Sequence, residues 1–72
     1  AIRVSAVGDR FAVEVTMPHG DWRSTSPLSA TEVLEQLAAL GCHSTDAADA
    51  LDASGTDWRS VHDAEVFSRR RN

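Results

Sequence analysis

Apolar residues in the first part of the chain recur at every second position. The alternation runs through residues 2–7 and again through residues 11–16, and a period of two is typical of half-buried β-strands. Gly8 and Asp9 lie between the two segments, and glycine at the first position of a two-residue loop favours a type II′ turn. These residues therefore predict a β-hairpin.

A turn and a further short strand are expected after the hairpin. Residues 18–21 have a composition typical of turns, because they include a proline and a glycine. Residues 22–25 are long enough for one more strand. Residues 1–25 are thus predicted to form an antiparallel hairpin or a three-stranded meander.

The spacing of apolar residues then changes to three or four, which is the period of an α-helix. Ser29 and Glu32 have the spacing of a capping box, and Gly41 suits the left-handed residue that ends a helix. A helix is therefore expected over residues 30–40. Its apolar face consists of Val33, Leu34, Leu37, Ala38 and Leu40. The core that it should share with the hairpin consists of Val4, Phe11, Val13, Val15, Leu34 and Leu37.

A second, shorter helix is expected over residues 45–53. Ser44 or Thr45 is a suitable N-cap, and Gly55 is placed to end the helix. Four residues are expected to be buried, namely Ala47, Ala48, Ala50 and Leu51. Three aspartates should form an outward-facing acidic face, namely Asp46, Asp49 and Asp52.

The last segment has the features of a third helix. Thr56 or Asp57 can serve as its N-cap, and acidic residues precede the terminal arginines, as the helix dipole favours. The residues spaced by three or four are Trp58, Val61, Ala64 or Glu65, and Phe67. Two i,i+4 ion pairs are also expected, Arg59 with Asp63 and Glu65 with Arg69. The alternative is that residues 64–67 form an edge strand against the hairpin.

The order of these elements predicts one small α+β domain over residues 1–72. An N-terminal antiparallel β-hairpin or three-stranded meander (residues 1–25) is followed by a small two- or three-helix bundle (residues 30–68) and a basic tail (residues 69–72). A chain of this length buries only about 60% of its unfolded surface. Its core should therefore be small, and association with a partner is expected to add to its stability.

Charge is distributed unevenly along the chain, whose formal net charge is −4. Residues 30–68 contain eight carboxylates against a single arginine, Arg59, whereas the tail contains Arg69, Arg70 and Arg71. Proteins that bind a nucleic-acid backbone normally present a basic face. The acidic middle segment therefore argues against nucleic acid as a partner, and only the tail suits an anionic one.

Cysteine content, hydropathy and basic residues bear on location and origin. Cys42 is the only cysteine, so a disulfide within the chain and a multi-cysteine zinc site are both excluded, and a reducing compartment is expected. No apolar stretch is long enough to span a membrane, and the N-terminus lacks the features of a secretory signal. All seven basic side chains are arginine, which indicates GC-rich coding. We therefore expect a cytoplasmic protein of bacterial or phage origin that does not contact a membrane.

Three short motifs in the helical part resemble those of a known superfamily. Residues 37–42 (Leu-Ala-Ala-Leu-Gly-Cys) stand in place of the Leu-x-x-Met-Gly-Phe loop of ubiquitin-associated (UBA) domains, and residues 47–51 in place of the Ala-x-x-Ala-Leu of their second helix. Residues 55–57 match the turn before the third helix. Residues 32–67 thus resemble the UBA-like three-helix superfamily, which implies a helical docking bundle. Leu40 and Cys42 replace the Met and Phe that recognise ubiquitin, so ubiquitin binding is not implied.

Candidate catalytic and metal-binding groups are few. Cys42 and His43 are neighbours in the chain, so their side chains are expected to point apart, and no second Cys or His has the spacing of a zinc motif. Cys42 follows a helix C-cap, where an apolar contact closes a Schellman turn. His62 and Asp63 lack a nucleophile, an oxyanion hole or a phosphate loop to work with. We therefore expect no enzymatic activity, no cofactor and no metal.

Protein interaction is the function that these features predict. An acidic helical face and a Trp-containing apolar patch suit a small adaptor or regulatory module that binds a partner protein or a second copy of itself. The alternative is a nucleic-acid-associated or phage regulatory protein, in which the first two helices form a helix-turn-helix-like pair. An acidic decoy for a basic site is a further interpretation. The predicted partner-binding residues are Trp22, Arg23, Asp46, Asp49, Asp52, Trp58 and Arg59.

Overall fold

A computed structural model describes residues 1–70 as an α+β arrangement in which an antiparallel sheet is followed by three helices. The sheet has the strand order β1-β2-β3, which confirms the predicted meander and fold class. Arg69 and Arg70 belong to the last helix rather than to a separate tail, and Arg71 lies outside the described residues. The elements are β1 (Ile2–Val7), β2 (Arg10–Val15), β3 (Trp22–Arg23), α1 (Ala30–Ala39), α2 (Ser44–Ala53) and α3 (Trp58–Arg70).

The hairpin has the predicted two-residue connection. Val7 pairs with Arg10, and Gly8 has a φ of 64°, whereas no residue other than glycine has a positive φ within residues 1–70. A positive φ at the first loop residue alone is the pattern of a type II′ turn. The glycine thus has the conformational role that the sequence predicts.

Strand β3 is shorter than predicted, with two residues instead of four. The amide of Ser24 still donates to the Val13 carbonyl (3.0 Å), but the amide of Val13 donates to the Ser24 hydroxyl at 3.2 Å. The side chain therefore takes the place of the backbone carbonyl, and the ladder ends. Further along, Leu28 exchanges two backbone hydrogen bonds of 2.8 Å with Phe11, which fixes the chain just before α1.

The predicted capping signals at both ends of α1 are confirmed, although the helix ends at Ala39, one residue earlier than predicted. The Ser29 hydroxyl accepts a hydrogen bond from the Glu32 amide (3.2 Å), and the Glu32 carboxylate accepts one from the Ser29 amide (2.9 Å), which completes a capping box. At the other end, Gly41 has a φ of 87°. The amide of Cys42 donates to the Leu37 carbonyl at 2.9 Å. Cys42 packs against the core, as expected for the apolar residue that follows a Schellman turn.

The core lies between the sheet and the first two helices. Five of the six residues predicted to form it are buried, but Leu34 is only partly buried. Val33 is fully buried instead, and Ala38, which was also placed on the apolar face, is exposed. A period of three to four allows neighbouring residues to share the buried stripe, so the rotation of α1 depends on how it meets the sheet. The buried apolar residues are Val4, Phe11, Val13, Val15, Ala30, Val33, Leu37, Ala47, Leu51 and Trp58.

Helix α2 begins one residue earlier than predicted. Its N-cap is His43, whose Nδ1 accepts a hydrogen bond from the Thr45 amide at 3.3 Å, so the prediction of Ser44 or Thr45 is wrong. An imidazole nitrogen here takes the place of the hydroxyl or carboxylate that caps most helices. Ala47 and Leu51 are buried as predicted, whereas the two other predicted alanines, Ala48 and Ala50, are only partly buried.

The last segment is a helix, which excludes the alternative of an edge strand. Its packing differs from the prediction, because only Trp58 is buried, while Val61 and Phe67 are 53% and 62% exposed and Ala64 is exposed as well. The side that meets α1 is polar. Its contacts are Thr31 Oγ1 to His62 Nδ1 (2.9 Å), Ser29 Oγ to Glu65 Oε1 (3.4 Å) and Glu35 Oε1 to Arg69 Nη1 (2.9 Å). None of the helices within residues 1–70 is long and apolar enough to cross a membrane.

Candidate functional site

The predicted partner-binding residues lie in three separate places, not on one surface. Strand β3 lies on the far side of β2 from β1, whereas α2 packs against β1. Strand β2 therefore separates the residues of β3 from β1 and from the helix packed against it. Trp22 and Arg23 lie on β3, Asp52, Trp58 and Arg59 at the α2–α3 junction, and Asp46 and Asp49 on the outer part of α2.

At the α2–α3 junction, three of these residues bind one another. The Trp58 indole N–H donates to Asp52 Oδ1 at 2.7 Å, and Arg59 Nη2 lies 3.1 Å from Asp52 Oδ2. The Arg59 guanidinium carbon also lies 4.6 Å from the centroid of the Trp58 ring, within the range of a cation–π contact. The predicted ion pair of Arg59 with Asp63 is wrong, since Asp52 takes that arginine. Trp58 is only 5% exposed, so this cluster holds α3 in place and offers little apolar surface to a partner.

The contacts at this junction make stability depend on pH. The hydrogen bond from Trp58, followed by the hydrogen bond and charge of Arg59, holds the pKa of Asp52 below its usual range. A lowered pKa in the folded state stabilises the fold above the ordinary carboxyl pKa, and this contribution is lost as the pH falls through the lowered value. We expect Asp52→Asn to be less stable than the parent protein in urea unfolding at neutral pH. The difference should shrink below about pH 4.

Asp49→Asn is the matched control for Asp52, because it removes an aspartate of the same helix that has no partner within residues 1–70. It should leave stability nearly unchanged at both pH values. A loss for Asp52→Asn that is equally large at neutral and acid pH would contradict the assigned ionic role.

Trp22 and Arg23 on β3 present less binding surface to a partner than the sequence predicts. Trp22 is partly buried and packs against the core. Arg23 Nη2 lies 3.4 Å from Glu14 Oε1 on the exposed face of the sheet, with its side chain 78% exposed. An exposed pair of this kind contributes little to stability or specificity. These two successive residues therefore place their side chains on opposite faces of the sheet.

A groove of about 850 Å³ contains two of the predicted partner-binding residues, Asp46 and Asp49. It lies where the open end of the hairpin meets the α1–α2 connection and the first part of α2. Its floor contains partly buried apolar side chains from each of these segments, and its exposed rim includes two histidines and two aspartates. The apolar residues are Ile2, Met17, Leu40, Cys42 and Ala50, and the polar ones are His19, His43, Asp46 and Asp49.

Two carboxylates at the groove rim have no ion-pair partner among the described residues. Asp46 and Asp49 are exposed, and within residues 1–70 neither forms an ion pair or a hydrogen bond through its side chain. Most arginines are engaged elsewhere. For example, Arg10 Nη1 lies 3.3 Å from Glu32 Oε1. A positively charged ligand at this rim would therefore displace no internal ion pair.

The described residues of the groove contain no metal-binding cluster. Within the described part of the chain, no group of three His, Cys, Asp or Glu side chains is close enough to hold a metal ion. Cys42 makes no hydrogen bond to a histidine there, and His43 uses Nδ1 to cap α2. The arrangement suits binding by shape and charge.

Sequence reasoning found the acidic rim of the groove but missed its floor. The sequence predicts Leu40 and Ala50 to be buried on helix faces, and it assigns no role to Met17. The available signal was the placement of Met17 shortly after β2, and of Leu40 and Cys42 at the end of α1, where apolar side chains are rarely covered from all sides. Which of these ends meet is decided only by the fold.

Comparison with known proteins gives no relative. No family model, no curated protein and no solved structure matches this chain. The resemblance of residues 32–67 to the UBA-like superfamily therefore remains a prediction.

Proposed function

We propose that this domain is a protein-interaction module that binds a basic, partly apolar segment of a partner protein in the groove. The observation that carries the proposal is the pair of unpartnered carboxylates, Asp46 and Asp49, directly beside an apolar floor. A ligand that supplies both positive charge and aliphatic surface complements both parts of the groove.

The apolar floor supplies the affinity in this proposal. Met17, Leu40 and Cys42 are partly buried and line the same groove. Covering apolar surface releases about 25 cal/mol for each Å² removed from water. Methionine is unbranched and adapts its shape to different ligands, so the floor suits aliphatic side chains of more than one type.

The acidic rim orients the bound ligand and raises its association rate in this proposal. Charges that face an approaching ligand raise the association rate, and the effect weakens with salt. Because α2 has no basic residue in its sequence, the two aspartates are not offset within their own helix. Binding should therefore weaken as the ionic strength rises.

The same charge argues against the alternative of a nucleic-acid-binding protein. In a helix-turn-helix interpretation α2 would be the recognition helix, and a helix in the major groove normally offers Arg, Asn or Gln to bases and lies close to phosphates. Asp46 and Asp49 would instead repel the backbone. Duplex DNA is therefore the negative control for the binding experiment.

The test is selection from a random peptide library displayed on phage, followed by affinity measurements on the selected peptides. We expect enrichment of sequences that combine Arg or Lys with an aliphatic residue. The double variant Asp46→Asn/Asp49→Asn should bind them about tenfold more weakly, since two exposed charge pairs contribute about 0.4–2 kcal/mol in total. Asp52 is left unchanged, because replacing it would also disturb Trp58 and Arg59.

The matched control is Asp9→Asn/Asp63→Asn, which changes the net charge equally at exposed sites outside the groove. It should bind within about twofold of the parent protein. Equal weakening by both double variants would mean that only net charge matters. Selection of acidic peptides, or tight binding to duplex DNA at physiological salt, would contradict the proposed function.

A further inference from the structure

We infer that the partner segment binds as an extended strand along the free edge of β1, which it shares with the groove, so that it becomes a fourth strand of the sheet. This inference rests on the proposed function and specifies the form of the ligand. It follows from the hydrogen-bonding pattern of the hairpin, the composition of β1, and the position of the acidic helix beside that strand.

One edge of β1 has unpaired backbone groups. Ala1 and Thr16 exchange two hydrogen bonds, from the Thr16 amide to the Ala1 carbonyl (2.8 Å) and from the Ala1 amine to the Thr16 carbonyl (3.1 Å). In an antiparallel ladder such pairs alternate with pairs whose backbone groups point outward. The backbone groups of Ile2, Val4 and Ala6 therefore point away from β2. Within residues 1–70 they form no hydrogen bond with another element.

The edge lacks the features that normally protect an edge strand. Residues Ile2–Val7 contain no proline, glycine or lysine, and Arg3 is the only charged residue among them. The six residues pair with β2 in continuous register, without a bulge. Ala6 and Val7 are exposed. An edge strand of this composition is a template for another extended chain.

The free edge and the acidic groove are continuous. Ile2 begins β1 and also lines the groove that Asp46 and Asp49 border. Helix α2, which carries both aspartates, packs against β1. A strand added to β1 places alternate side chains on the side of the sheet that carries the helices. Arginine or lysine at those positions complements the aspartates, and an aliphatic residue complements the floor.

The same charges disfavour a second copy of this chain as the occupant. Pairing of β1 with the β1 of another molecule would bring two α2 helices toward each other on the same side of the joined sheet, since each packs beside its own β1. Both helices carry unpartnered aspartates, and opposition of like charges is unfavourable. A basic extended peptide has no such penalty.

The test uses a synthetic octapeptide, RSLSRSLS, acetylated and amidated at its ends, together with hydrogen exchange of the protein amides measured by NMR. The amides of Val4 and Ala6 should exchange at least about tenfold more slowly in saturating peptide. The amides of Arg3, Ser5 and Val7 already belong to the β1–β2 ladder and should change little. They are the internal control.

Two N-methylated versions of the peptide add an independent measurement. In a peptide bound as a strand, only every second amide points toward β1. N-methylation of those amides should abolish binding. N-methylation of the other amides should leave the affinity within about threefold. Loss of binding on methylation of the Arg and Leu positions indicates an antiparallel addition. Loss on methylation of the Ser positions indicates a parallel one.

The outcomes separate this inference from the proposed function. Binding that depends on Asp46 and Asp49 but leaves the exchange of Val4 and Ala6 unchanged overturns strand addition and leaves the proposed function standing. Failure of the octapeptide to bind at about 1 mM also overturns strand addition. The phage selection then still tests independently whether the groove binds a basic, partly apolar segment. Protection of Val4 and Ala6 that rises with protein concentration in the absence of peptide identifies a second copy as the occupant, which overturns the inference.

Discussion

Leu37→Ala is expected to lower the free energy of unfolding by about 2–5 kcal/mol. Leu37 is fully buried between the sheet and the helices, so truncation removes its apolar contacts and leaves a cavity that the surrounding elements can only partly fill. A single domain has a total stability of about 5–15 kcal/mol, and this one has a small core. Urea unfolding followed by far-UV circular dichroism measures the loss.

Leu34→Ala is the matched control, since it makes the same change in the same helix at a partly buried position. Its cost should be clearly smaller, at about 1–2 kcal/mol, because part of the side chain is already in contact with water. If Leu34→Ala destabilises the protein as much as Leu37→Ala does, the rotation of α1 against the sheet described above is wrong. Equal stability of Leu37→Ala and the parent protein would contradict the core itself.

Trp58→Ala should have an effect of similar size, at about 3–5 kcal/mol. Trp58 is the buried residue of α3 and joins the core cluster. Its removal also leaves Asp52 without its 2.7 Å hydrogen bond. The hydrogen bonds that join α3 to α1 involve polar side chains of which only Thr31 is buried, so we expect α3 to detach before the rest of the domain unfolds. Amide exchange should then accelerate in α3 more than in α1.

Phe67→Ala serves as the control within α3. Phe67 is 62% exposed, so its truncation should cost less than about 1 kcal/mol and should not change the exchange of α3 amides. Trp58→Phe separates the two contributions of the indole, because it keeps most of the ring and removes only the N–H that binds Asp52. A larger loss of unfolding free energy for Phe67→Ala than for Trp58→Ala would contradict this packing. It would support the buried apolar face of α3 that the sequence predicts.

Two kinds of sequence signal account for the correct predictions. The hairpin depends on alternation within six-residue strands and on a glycine that adopts a φ of 64°. The ends of α1 depend on Ser29 with Glu32 and on Gly41 with Cys42, whose partners lie within one or two turns of the chain. Interactions of this range form between the same residues whatever the rest of the fold does. Sequence reasoning can therefore place them.

Apart from the N-cap of α2 and the start of the basic tail, the wrong predictions concern contacts between elements. Periodicity put Leu34 in the core and spread the buried face of α3 over Val61 and Phe67. A pattern of three and four identifies a stripe of the helix, but the stripe is wider than the contact that a partner element makes. The i,i+4 rule paired Arg59 with Asp63. The actual partner, Asp52, becomes available only because the turn at Gly55 brings α2 and α3 together.

By itself the sequence determined the order and type of the elements, the hairpin turn, the capping box of α1, and an excess of carboxylates in the helical part of the chain. Only the tertiary structure decided which face of each helix is buried. It also decided that Asp52 is used internally while Asp46 and Asp49 are not, and that Met17, Leu40 and Ile2 meet in one groove. The physical reason is the separation in sequence between the residues that interact. Local hydrogen bonds and turn geometry depend on residues a few positions apart, whereas a groove exists only where chain segments distant in sequence pack beside one another.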